Sequence, residues 1–327
     1  MYAMVLNKIG TPLTWTELPD RQPGAGQIRV KVGACGVCRT DLHVVDGELP
    51  DPHVPMIPGH EIVGRIDKIG TGVSNLAIGE RIGIPWLGHT CGDCPFCRVG
   101  RENLCDRPVF TGYSRNGGFA THAIADAQFV IKLGEVGSDV QLAPLLCAGL
   151  IGWRALVIAG PGKRIGLYGF GASAHIVAQV AQWQERSVCA FTRPGDVAGQ
   201  NFARQLSVTW AGGSDEQPVQ QLDAAIIFAP DGKLVPAALK AVCKGGRVVC
   251  AGIHMSDIPG FPYSLLWGER QLMSVANLTR QDGIDFFRLL PQIGIVTHTT
   301  TYPLQKANQA LDDLRDGKFE GAAVLVP

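Results

Sequence analysis

Residues 164–175 read RIGLYGFGASAH, and the chain around them constrains the fold more tightly than any other stretch. An apolar run ends in a Gly-rich turn, and a helical stretch over roughly 171–184 follows. The alternation then continues through SVCAFT, a helix near 197–206, AAIIFA at 224–229, a helix near 233–242, GRVVCAG at 246–252 and QLMSVAN at 271–277. Apolar strands that alternate with helices require a parallel sheet with helices on both faces, because parallel neighbours can be joined only by long crossovers. Gly169-Phe170-Gly171-Ala172-Ser173-Ala174 fits G-x-G-x-x-A between strand and helix, which is the setting a dinucleotide fingerprint needs. Gly169 allows the tight turn, and Gly171 lets the backbone approach a pyrophosphate seated on the helix N-terminus. Ala172 and Ala174 complete the motif.

The first third is written differently. Short alternating runs such as Gln27–Val32 and Glu61–Ile69 are broken by PGAG, IPGH and GTG, predicting an irregular all-β body of short strands. The style changes near residue 150, and 327 residues favour two domains over one core. Beyond about 280 come a helix over 282–290, another over 305–316, and an apolar tail, GAAVLVP, that could return to pair with the first domain. Lys plus Arg equals Asp plus Glu at 29 each, with no long run of one sign, which argues against nucleic-acid and membrane-surface partners. The chain shows no basic-then-apolar leader and no apolar stretch of ~18 residues, so a soluble cytoplasmic protein is expected. Ten cysteines in such a chain point to metal ligation or buried thiols, not to a disulfide framework.

Four of those cysteines, Cys91, Cys94, Cys97 and Cys105, stand at C-x2-C-x2-C-x7-C. Four thiolates on one tight loop satisfy tetrahedral zinc, with a related ferredoxin-type spacing as the competitor. A closed shell of four thiolates leaves no open position, so this metal would hold a lobe and catalysis would lie elsewhere. A second set is scattered: Cys38 in CGVCRTDLH, His60 in PGHE and Cys147 in APLLCAG. Two cysteines and one histidine around zinc with an open fourth position is a known catalytic arrangement, although spacing alone does not assemble these three.

Together CGVCRTDLH, PGHE, the four-cysteine loop, LLCAG and GFGASA resemble the medium-chain, zinc-dependent alcohol dehydrogenases, in order and spacing along nearly the whole chain. The resemblance implies a chaperonin-10-like β-rich catalytic domain over 1–149 and 281–327, and a Rossmann cofactor domain over 150–280. It also implies two zinc ions per chain, a nicotinamide cofactor, a small alcohol or aldehyde substrate, and assembly as a homo-dimer or homo-tetramer. Carried over residue by residue, Cys38, His60 and Cys147 match the catalytic zinc ligands. Asp41 matches the carboxylate that orients the ligating histidine, and Glu61 the acid beside the metal. Thr40 matches the hydroxyl that takes the alcohol proton, and His43 the outer end of a relay that delivers it to water. Hydride would pass between the carbinol carbon and the nicotinamide. Cys35 matches no ligand.

The chain departs from the family pattern at the end of the second Rossmann strand. NAD-preferring members carry an acid there, whereas this sequence has Thr192 followed by Arg193. A hydroxyl and a guanidinium suit a ribose 2′-phosphate, so NADP is expected over NAD, with Asp196 close enough to act as the acid instead. By family position Leu49, Trp86 and Ile253 would line the substrate pocket. His175, in the first turn after the glycines, would either touch cofactor phosphate or lie on the surface. The competing activities are a polyol or aldehyde-specific dehydrogenase on the same scaffold, a catalytically inactive zinc-binding relative, and a thiol-redox protein using Cys35 and Cys38.

Overall fold

A computed structural model describes residues 1–50 and 53–327. The chain divides into two compact units, one of 1–148, 277–291 and 297–327, the other of 149–276 and 292–296.

The second unit carries a six-stranded, all-parallel sheet. In spatial order its strands are Trp210–Gly213, Ser187–Thr192, Arg164–Tyr168, Leu222–Ile227, Val242–Cys250 and Gln271–Ser274. Numbered by sequence this order is 3-2-1-4-5-6, the doubly-wound arrangement that the strand–helix alternation predicts. The near-continuous apolar strands pack as that topology demands, with Leu222, Ala225 and Ile227 fully buried. Asp223 ties the start of the first strand down. Its carboxylate accepts from the amides of Lys163 and Arg164 at 2.8 and 2.9 Å and from the Arg164 side chain at 2.7 Å. The helix Ala172–Trp183 begins directly after the Gly-rich turn.

The first unit is built on a seven-stranded sheet centred on Gln27–Val37, which pairs antiparallel with Glu61–Ile69, His122–Asp126 and Ala322–Val326. The apolar tail therefore does return to pair, with Ala323 opposite Val37. The central strand corrects the expectation of uniformly short strands, since it runs 11 residues through Gly33 and Gly36. Of two register shifts against Glu61–Ile69, one falls across Gly33, while Gly36 pairs with Glu61 in the ladder. The unit is also less purely β than expected, because the strand runs straight into a helix, Arg39–Asp46. That junction puts Cys38, Thr40, Asp41 and His43 on one turn. No single helix among the described residues is long and apolar enough to cross a membrane.

Candidate active site and metal centres

The helix Arg39–Asp46 starts with Cys38 as its N-cap. The Cys38 thiol accepts from the Thr40 amide at 3.3 Å, and the Asp41 carboxylate reaches back to the Cys38 amide at 3.0 Å. This reciprocal box explains why a carboxylate stands three residues after the cysteine. The other Asp41 oxygen accepts from the Gly59 amide and from His60 Nδ1, both at 3.1 Å. Gly59 has φ +96°, a left-handed conformation that lets the loop present His60 to Asp41. With Nδ1 facing Asp41, the His60 ring directs its Nε2 at Cys38 Sγ, 3.1 Å away. Cys147, at the end of the 3-10 turn Ala143–Leu146, brings its Sγ to 4.0 Å from that of Cys38. Cys38, His60, Glu61 and Cys147 offer ligand atoms that all lie within 4.8 Å of one another.

Electrostatics explain why this cluster suits a cation. The Cys38 thiol is held well below its ordinary value, chiefly by the Cys147 thiol donating to it, with His60 adding to the effect against the opposing pull of burial. Cys147 is pushed well up as the partner in that shared proton. Burial pulls His60 down, but the charges of Asp41 and Cys38 win and raise it well above its ordinary value. Burial, with the Cys38 thiolate, drives Glu61 well up. Neither Glu61 oxygen makes a hydrogen bond of good geometry, although the carboxyl is only 1% exposed. A buried thiolate, an aimed imidazole and an orphaned carboxyl are an expensive arrangement without a metal, and all three are relieved by a divalent cation. The donor set therefore fits zinc with two thiolates and one imidazole.

The four-cysteine loop is a second donor set. All four ligand atoms lie within 4.8 Å of one another, with Sγ of Cys91 at 3.4 Å from Cys105 and 4.0 Å from Cys97. Tetrahedral Zn–S bonds of about 2.3 Å place thiolates about 3.8 Å apart, so this spacing fits one ion, whereas a cluster several atoms wide needs its thiolates farther apart. The amides of Cys91 and Arg107 both donate to Cys105 Sγ at 3.3 Å, and the amides of Asp106 and Cys97 hold Cys94 down to about 6. Glu102, buried inside the loop, takes a forked bond from Arg280, clamping the lobe to the 277–291 segment of the same unit.

The other expected residues fall as follows. Trp86 sets its edge against the His60 ring at 4.9 Å and stacks on Phe110 at 5.1 Å and Tyr113 at 5.9 Å. The sequence reading missed Phe110 and Tyr113, which are brought in by the short strand Val109–Phe110, paired with Leu87–His89, and the turn after it, with no spacing signal to Trp86. Leu49 is half-buried against the core of the first unit, and Ile253 is exposed in the second. Thr40 is half-buried beside Cys38. His43 lies on the same helix with its Nδ1 paired to the Glu48 carboxylate. Cys35 is buried with its thiol raised by burial, and its strand is antiparallel to its neighbours, so Cys35 and Cys38 do not form the exposed pair of a thioredoxin-like unit.

In the second unit Gly169 has φ +86° and closes the turn against Ala229. Gly171 caps the helix Ala172–Trp183 without a side-chain bond, and a Cβ there would meet nothing within 4 Å. The helix start thus has no side-chain cap and has room beside its capping glycine, as an anion site requires. Ala172 and Ala174 occupy its first turn, Ala174 fully buried. His175 is not a surface residue: it is completely buried, its ring 5.9 Å from Phe202. Thr192 is also turned inward, its hydroxyl donating to the Arg193 carbonyl at 3.1 Å and accepting from Gln200 at 3.3 Å. Arg193 is exposed, and Asp196 caps the helix Val197–Gln205 through the Gly199 amide.

Comparison with known proteins agrees with this geometry. Residues 24–135 match the family described as the alcohol dehydrogenase GroES-like domain. The chain is 46% identical over 313 residues to a probable alcohol dehydrogenase, AdhA, of Mycobacterium tuberculosis, covering 93% of this chain and 90% of that protein. It is 30% identical over 350 residues to a protein of Sulfolobus acidocaldarius named NAD-dependent alcohol dehydrogenase, covering 99% of each. Among solved structures it superposes on the alcohol dehydrogenase of the archaeon Aeropyrum pernix with a TM-score of 0.90, at 26% identity and 100% coverage of both chains. With both cysteine-rich donor sets in place and relatives matched over nearly its full length, this chain belongs to the medium-chain, zinc-dependent alcohol dehydrogenase family.

Proposed function

We propose that the protein interconverts small alcohols with aldehydes or ketones at the Cys38–His60–Cys147 centre, that the four-cysteine lobe holds a second, structural zinc, and that NADP is preferred over NAD. The observation that carries this reading is the Asp41–His60–Cys38 chain, which fixes the tautomer and aims the imidazole at a thiolate. When bound, zinc supplies a Lewis acid that makes an alcohol proton easier to remove. The residues of the chain do the rest. Asp41 holds the imidazole in place from behind, and Glu61 keeps a carboxyl within reach of the same donors. Thr40, two residues from Cys38 on the same turn, accepts the departing proton, and His43, one helical turn on and paired to Glu48, passes it outward. Gly171 and the uncapped helix behind it take the cofactor pyrophosphate.

The aromatic wall of Trp86, Phe110 and Tyr113 favours flat or apolar substrates over polyols, because ring faces give further hydroxyls little to bond to. Such a wall separates neighbouring chain lengths by only ~1–3 kcal/mol per methylene, so a broad range is expected. For the cofactor, the buried Thr192 leaves Arg193 to recognise a 2′-phosphate, and Asp196 is committed to its helix cap. The family resemblance supports a homo-dimer or homo-tetramer. The test is steady-state oxidation of a panel of primary alcohols with each cofactor. We expect a higher kcat/KM with NADP, and a turnover loss of roughly 100-fold in Thr40→Ala, within the range of a lost proton-transfer group. A tenfold preference for NAD, about 1.4 kcal/mol, contradicts the cofactor assignment.

A further inference from the structure

A second cavity lies in the first unit, with a volume of about 360 Å³. Arg21, Arg29, Arg115, His122, Gln27 and Asn116 supply its polar lining, and no Asp or Glu lines it. In a chain whose acidic and basic residues balance at 29 each, three guanidiniums around a space without a carboxylate is a marked local imbalance.

The imbalance is not cancelled from behind for all three. Arg29 is neutralised, since Nη2 lies 2.6 Å from Asp67, and the N-terminal ammonium is paired with Asp20 at 2.9 Å. Arg21 and Arg115 have no ion pair among the described residues. Arg115 is half-buried, and among the described residues its guanidinium donates to the Gly88 carbonyl at 3.3 Å. A guanidinium carries five N–H donors, so most of those on Arg115 remain for a ligand. Burial draws its pKa down, and the charge of Asp126 opposes that only in part.

The amides add donors in fixed orientations. Asn116 Oδ1 accepts from the Ile57 amide at 3.1 Å, and Gln27 Oε1 accepts from the Gly24 amide at 3.0 Å. Because each oxygen is committed to a backbone N–H, neither amide can be flipped, and each keeps an NH₂ with no protein acceptor among the described residues. The Asn116 loop is itself rigid: the amides of Gly117, Gly118 and Phe119 donate to the carbonyls of Ile57, Gly59 and Pro58. The cavity therefore offers positive charge and N–H donors on a preformed wall, and the side-chain oxygens of Asn116, Gln27 and Gln22 are already taken by the Ile57 amide, the Gly24 amide and Lys68. That is the chemistry of an oxyanion site.

We propose that this cavity binds a small oxyanion, a phosphate ester or a carboxylate, separately from the cofactor and metal sites. Its test uses the zinc-loaded full chain saturated with nicotinamide cofactor, so that the dinucleotide site is already filled. Inorganic phosphate is titrated calorimetrically at constant ionic strength, and succinate in a parallel arm. One saturable site is expected for at least one probe, and the tighter of the two identifies the ligand class. Arg115→Gln should weaken it at least about tenfold and the exposed Arg21→Gln at least about threefold, as loss of a charge-assisted bidentate partner does. Lys240→Gln, on an exposed helix face of the other unit, should leave the affinity unchanged. Two results overturn the proposal: no saturable binding of either probe, or binding that folded Arg115→Gln and Arg21→Gln proteins retain in full. Since Arg21 is exposed and makes no ion pair, its variant separates loss of the ligand from loss of the fold.

Discussion

Asp41 is the residue on which the proposed catalytic centre turns. It is completely buried and satisfies the Cys38 amide, the Gly59 amide and His60 Nδ1 at once. Burial raises its carboxyl, and the His60 charge and hydrogen bond work against that rise. Asp41→Asn keeps the shape but donates to His60 through its NH₂ or loses the ionic partner, so the imidazole is no longer held in one tautomer. We expect zinc affinity at the Cys38 centre to fall 10- to 100-fold, measured by chelator competition, with secondary structure intact. Unchanged affinity would mean that Asp41 serves only as a helix cap. The four residues that meet here, Cys38, His60, Glu61 and Cys147, were named beforehand by the family motifs. The cap geometry was not, since nothing in CGVCRTDLH shows that the thiol begins a helix. Thr192 and His175 mark the same limit: both stand at motif positions, yet packing turns the first to Gln200 and the second into the core beside Phe202. A side chain's direction depends on tertiary neighbours that local sequence does not name.

At the scale of elements, the Gly-rich turn separates structural from functional glycine. Gly169 is needed by the backbone, with φ +86° and Ala229 against it. Gly171 is not, since a Cβ would find open space around it. Gly171→Ala is therefore predicted to unfold at the same temperature as the parent while raising the cofactor KM at least about tenfold, because the methyl takes the room of a pyrophosphate. An unchanged KM would remove the dinucleotide role from this turn. The neighbouring strand start makes a prediction in pH. Burial raises the Asp223 carboxyl, but its bonds to Arg164 and to the Lys163 and Arg164 amides outweigh burial and lower it. A folded value below the unfolded one means that its stabilisation is complete above about pH 4 and is lost as pH falls through the folded value. Asp223→Asn should then destabilise the protein by about 1–2 kcal/mol at pH 7, and the difference should vanish in acid; a gap that persists at pH 2 contradicts this. Strand–helix alternation was readable over most of this unit because its central strands are apolar, but the edge strand Trp210–Gly213, short and ending in two glycines, was not read. In the first unit the 11-residue central strand was harder to see, since its glycines look like breaks, yet Gly33 sits at a shift in register and Gly36 pairs with Glu61.

For the whole molecule, one chain folds as two units from three and two segments, and inside the first segment residues as distant as 38 and 147 meet. Sequence order hides such meetings, and only the motif vocabulary of a family exposes them beforehand. The account makes the chain carry two metals of different kinds: one in a closed four-thiolate shell that holds a lobe, one in a donor set with room for substrate. Elemental analysis combined with turnover of a simple alcohol tests this most directly. The account predicts about two zinc per chain, with turnover lost when a chelator strips the Cys38 centre and restored when zinc is returned. About one zinc per chain with full turnover would contradict it.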